Sequence, residues 1–226
     1  MDEDFLVDEF QRAVEIGRRE NQITVEEVRE LISLITKIFR ELLIANNFSA
    51  RNILRLTTKF RDAGRRSAPW RPTSERVPGR PQDGADGNRI LRWLLPTDHK
   101  FYATEINATL VEIKYYLQCL SMQNAPFIPN AEFRNAFIWL LGHQVEPGRY
   151  LDPIQLLPID LNGVINDARS IQSGHYNPLD RGGRHIPSNT FLMLARSNQL
   201  QGNLTVEELL DVIRGIINRH SQINLH

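Results

Sequence analysis

The sequence predicts an all-α protein, and three observations carry that expectation. Apolar residues recur at the 3.6-residue helical spacing along most of the 226 residues. The helix-start pattern Thr-Val-Glu-Glu occurs twice, at Thr24 to Glu27 and Thr205 to Glu208. No strand pair is needed to account for the rest. About eight helices follow, in two lobes joined by a long arm rich in Pro, Gly and Arg, with no significant β-sheet.

The first helix is read from Phe5, Leu6, Phe10, Ala13 and Val14 on one face, with Asp2, Glu3 and Asp4 at its positive N-terminal end. The second opens at Thr24, whose hydroxyl and the Glu27 carboxylate can satisfy each other's orphan backbone donors, and runs to about Ala45. Its stripe of Val28, Leu31, Ile32, Ile35, Ile38, Phe39, Leu42 and Leu43 is wide enough to meet more than one neighbour. Asn46-Asn47 ends it. Ser49 is placed to cap a third helix that buries Ile53, Leu54, Leu56 and Phe60.

Between Arg61 and Asn88 the period vanishes, and Pro69, Pro72, Pro78 and Pro81 interleave with Gly64, Gly79, Gly84 and Gly87. No helix survives that spacing. The expected organisation is therefore an N-terminal helical lobe (1–60), a flexible basic arm (61–88) and a C-terminal helical domain (89–226). Helical spacing resumes at Ile90 to Leu95 and again from about Phe101 to Met122. After a turn, Asn130 caps a short and very apolar helix carrying Phe133, Phe137, Ile138, Leu140 and Leu141, a composition suited to the centre of a core. Asp152-Pro153 and Asp160 each resemble helix starts. An irregular loop over Ser173 to Pro187 precedes a helix from about Ser188, and the last helix opens at Thr205 with Leu209, Leu210, Val212, Ile213, Ile216 and Ile217.

Apolar content of 41% and charged content of 24% suit a soluble globular chain, and no apolar run approaches bilayer-spanning length. The lone Cys119 excludes an intrachain disulfide. A reducing compartment is expected, cytoplasm or nucleus, or a virion, with no membrane partner. Twenty-three of the 27 basic residues are arginine, and eight of those fall between Arg61 and Arg92, although the formal net charge is zero. Arginine presents a planar fork suited to phosphate or carboxylate.

The candidate binding residues are Arg61, Arg65, Arg66, Trp70, Arg71, Arg76 and Arg80 on the arm, with Arg181 and Arg184 on the loop Asp180-Arg181-Gly182-Gly183-Arg184-His185. Arginines neutralising phosphates beside an exposed tryptophan that stacks on a base would suit single-stranded nucleic acid, and the same groups would suit a neighbouring subunit. The paired glycines lack the preceding strand and the Gly-Lys-Ser/Thr ending of a P-loop. No metal site and no cofactor are expected: His175 and His185 flank Asp180, but paired cysteines and metal-binding histidine spacings are missing. No residue presents itself as catalytic.

Three readings follow. The first is a non-enzymatic, self-assembling protein of viral capsid or nucleocapsid type, with itself and single-stranded nucleic acid as partners. The second is a monomeric adaptor that binds partner helices through the stripe of residues 25 to 43. The third is an enzyme whose site is assembled from scattered residues.

Overall fold

The structure is a computed structural model and describes residues 6–67 and 90–223. Nine α-helices and one two-stranded antiparallel sheet occur among these residues: α1 (Val7–Gly17), α2 (Val25–Ala45), α3 (Ala50–Gly64), α4 (Glu105–Cys119), α5 (Ala131–Ala136), α6 (Ile138–Leu141), α7 (Leu161–Asn166), β1 (Ile171–His175), β2 (Thr190–Leu194), α8 (Ala195–Gln201) and α9 (Val206–Ile223). None of these helices is long and apolar enough to cross a membrane.

The helix starts follow local chemistry. Thr24 accepts from the Glu27 amide while the Glu27 carboxylate accepts from the Thr24 amide, which completes the capping box of α2. Asn130 caps α5 through the Phe133 amide, and Asp160 caps α7 through the Asn162 and Gly163 amides. Asn47 takes a left-handed φ of 65° just beyond the end of α2, a conformation asparagine tolerates better than most residues.

Helix α4 occupies the centre. Every residue from Ala108 to Cys119 is buried, including Glu112, Lys114 and Gln118. The expected central element, residues 130 to 141, instead breaks at Phe137 into α5 and α6 and leaves Ile138 exposed. Sequence composition gave the wrong choice because α4 carries polar residues that are satisfied internally. The Lys114 ammonium donates to Pro187 O at 2.7 Å, and Gln118 Oε1 accepts from the Leu192 amide at 3.0 Å.

Around α4 the aromatic rings of Phe39, Phe60 and Tyr116 meet edge to face, with centroids 5.0 Å (Phe39 to Tyr116) and 5.2 Å (Phe60 to Tyr116) apart. One hydrophobic core takes residues from Leu6 through Leu192, so the helical segments on either side of the arm share it. The arm's two ends are joined: the Ser67 amide donates to Ile90 O at 2.7 Å, and the Arg92 amide donates to Arg65 O at 2.9 Å, around an antiparallel bridge of Arg66 with Leu91. Residues 65–67 and 90–92 thus lie side by side.

Three further expectations are corrected. The helix read from about Ser188 is a short turn over Pro187–Asn189 followed by β2, which pairs with β1 from Ile171↔Leu194 to His175↔Thr190. Residues 90 to 95 form only a single turn of 3-10 helix, Arg92–Leu94. Asp152-Pro153 begins a tight turn rather than a helix. The buried Asp152 carboxylate accepts from the amides of Ile154, Gln155 and Leu194 and from the Ser197 hydroxyl, at 2.7 to 3.0 Å.

Candidate functional site

A cleft of about 630 Å³ lies between the segment Thr97 to Asn107 and the loop Leu179 to Ile186. Its position is set by a polar node beneath it. Arg92, 3% exposed, donates to Gly64 O (3.1 Å), Ala63 O (3.3 Å) and Phe101 O (3.2 Å), and so caps the C-terminal carbonyls of α3 while holding the 92–101 segment. His185, buried in the cleft wall, meets the same Gly64 O through Nε2 at 2.8 Å. Both sides of the cleft are thereby tied to the end of α3.

These contacts fix the protonation of two histidines. Nε2 of His185 faces a carbonyl, so it carries the hydrogen, and Nδ1 must accept. The donor to Nδ1 is His175 Nε2, 3.1 Å away. His185 is therefore held neutral as the Nε2–H tautomer, since a second proton on it would place two donors face to face, and His175 donates through its own Nε2–H. Burial first, and then the Arg92 charge, lower His175 to about 4 and push His185 well below its ordinary value.

The cleft surface presents donors. The N-terminus of α4 opens onto it, with Thr104 capping the Asn107 amide at 3.2 Å and both residues lining the cavity. Orphan amides at a helix start favour an anion. His99 Nδ1 accepts from the Phe101 amide at 3.1 Å, which leaves Nε2 to donate. Lys100 pairs with Asp180 and lies 4.8 Å from the centre of the Phe101 ring. Arg184 is exposed on the rim, and no described carboxylate pairs with its guanidinium. Tyr102 adds a ring, and Asp98 is the one carboxylate in the lining.

Gly182, at φ 83°, and Gly183 shape the loop wall. A Cβ on Gly183 would collide with Asn177 O.

Of the arginines expected to bind, Arg184 alone lines this cleft. Arg181 is paired with Glu208, Arg65 with the buried Glu112, and Arg61 and Arg66 both lie beside Asp62, at 3.5 and 3.3 Å. Trp70, Arg71, Arg76 and Arg80 lie outside the described residues. Asp180 turns to Lys100 and takes no part with the His175–His185 pair. Sequence reading passed over His99, Tyr102, Thr104 and Asn107. Thr104 preceding Glu105 and Ile106 was the one available signal, a helix start directly after a histidine and a lysine.

No family model and no curated protein matches the sequence. Among solved structures the chain is similar to a crystal structure of a type II restriction endonuclease, at 20% identity and a TM-score of 0.45. The likeness covers 54% of this chain and 55% of the other, so this chain spans about half the length of that protein. A match of that extent assigns neither fold nor activity here.

The capsid-type reading is nonetheless corrected. The helical segments on either side of residues 68–89 share one core, where that reading expected two lobes joined by an arm. The adaptor reading fails as well. Val28, Leu31, Ile32, Ile35, Ile38, Phe39, Leu42 and Leu43, which were to receive partner helices, are all buried within the fold.

Proposed function

We propose that the protein binds the phosphate of a nucleotide in the cleft between residues 97–107 and 179–186. The observation that carries this reading is the Arg184 guanidinium, which no described carboxylate pairs, in one cleft with the N-terminus of α4. His99 Nε2 and the Lys100 ammonium add donors, and Tyr102 offers a ring face to a base. A cavity of about 630 Å³ suits a ligand of that size.

The arm supports an extension of the same chemistry to a single strand. Its root at Ser67 and Ile90 adjoins Gly64, whose carbonyl contacts both Arg92 and the cleft-wall His185. Arg71, Arg76 and Arg80 on the arm would neutralise successive phosphates, and Trp70 would stack on a base. Among the described residues Arg61 and Arg66 at the root pair with the partly exposed Asp62, an arrangement that exchanges for phosphate at small cost.

Titrations with a nucleoside monophosphate and with a short single-stranded oligonucleotide separate the two parts. Arg184→Ala should weaken both ligands. Replacing Arg71, Arg76 and Arg80 together by Ala should remove only the added affinity of the oligonucleotide and flatten its salt dependence. If neither ligand shifts the amide resonances of Asn107, Gly182 or Gly183, the cleft does not bind phosphate.

A further inference from the structure

The last helix is amphipathic, and among the described residues almost nothing covers it. In α9 only Leu209 is buried, whereas Leu210, Val212, Ile216, Ile217 and Ile223 are 37% to 69% exposed. The first turn is anchored, through the Arg181–Glu208 ion pair and the reciprocal Thr205–Glu208 cap. From Leu210 onward the helix leaves the fold, and no residue from there to Ile223 is buried. Its composition makes that costly. Val212, Ile213, Ile216, Ile217 and Gly215 are poor helix formers, and a segment of this length without packing is marginal in water.

The apolar positions also follow a seven-residue pattern, broken once by His220. Val206, Leu209, Ile213, Ile216 and Ile223 fall with it at alternating spacings of three and four, flanked by Leu210 and Ile217. Charge is divided along the same helix. Glu207, Glu208 and Asp211 occupy the first half, and Arg214, Arg219 and His220 the second. Two copies side by side in the same direction would set acid against acid. In opposite directions they set the acidic half of one against the basic half of the other, with the helix dipoles opposed.

We infer that α9 pairs antiparallel with α9 of a second copy of this chain. Ile213 of one copy then lies opposite Ile216 of the other, with Leu210 beside Ile217. The two-fold arrangement uses the same surface on both copies, so association closes at two. The phosphate-binding cleft is lined by none of these residues, and the pairing stands independently of it.

Sedimentation velocity over a dilution series tests the pairing, with Ile216→Asp/Ile217→Asp as the variant. Both residues are exposed, so the monomer fold should persist, and its thermal transition reports whether it does. The expected result is twice the chain mass for the wild type and a single chain mass for the folded variant. Orientation is read from a spin label at Gln222→Cys, with Cys119 too buried to react. Antiparallel pairing puts the two labels about 22 Å apart along the helix axis, and parallel pairing about 10 Å apart across it. A wild-type monomer overturns the inference, whether residues 68–89 or a different protein covers the helix. A variant that stays dimeric, or labels at the short distance, overturns it equally.

Discussion

Acidification should loosen this protein well above the range where carboxylates titrate, because of the His175–His185 pair. A histidine has an ordinary value of 6.5, and in the fold His175 is lowered to about 4 by burial and by Arg92. The unfolded chain therefore binds a proton that the folded chain refuses. Stability from this group is complete above pH 6.5 and is lost as pH falls from there towards 4. Carried through the linkage relation, the shift removes about 2 kcal/mol between pH 7 and pH 5 from His175 alone, and about 3 kcal/mol in the limit. His185, displaced in the same direction, adds to the loss over the same window. The carboxylates of Glu9, Glu27, Glu30, Asp160 and Glu208 are lowered below their usual range, so their contribution is lost only at more acidic pH. Urea unfolding at pH 7, 6 and 5 measures the slope. In His175→Gln/His185→Gln, where the amides can still bridge to Gly64 O, the slope between pH 7 and pH 5 should largely disappear. A slope unchanged in that variant would refute the assignment.

Two substitutions probe the framework that holds the cleft. Gly64→Ala places a Cβ 2.6 Å from Glu112 Cβ and 2.9 Å from the Glu112 backbone, so α3 must move off α4; a loss of about 3 kcal/mol in urea unfolding is expected. The same change should weaken cleft binding, since Gly64 O anchors Arg92 and His185. Asp152→Ala removes four hydrogen bonds from a fully buried turn and leaves their donors unpaired, which should cost about 3 kcal/mol by the same assay without altering cleft affinity.

Local rules recovered much of the fold. The capping boxes at Thr24 and Thr205, the caps at Asn130 and Asp160, and the buried stripe of α2 are decided by residues within a turn of one another, and they form as the pattern requires. What escaped was decided at long range. Residues 171 to 175 and 190 to 194 have no alternating pattern, and β2 is apolar from Phe191 to Leu194 because both its faces are covered, so the run could have been helix or strand. Helix α4 reads as half polar only until Arg65, Pro187 and Leu192 arrive to satisfy Glu112, Lys114 and Gln118. Arg92 looks in sequence like one more arm arginine, yet it is a buried cap on α3. The cleft joins segments more than seventy residues apart, and neither carries a motif of its own.

The phosphate reading rests on Arg184, and calorimetric titration reaches it most directly. A nucleoside monophosphate should bind the wild-type protein, the matching unphosphorylated nucleoside should bind at least tenfold more weakly, and Arg184→Ala should remove most of that difference, a charge-assisted contact contributing about 1.5 to 3 kcal/mol. Equal affinity for nucleoside and nucleotide, or binding indifferent to Arg184→Ala, would contradict it.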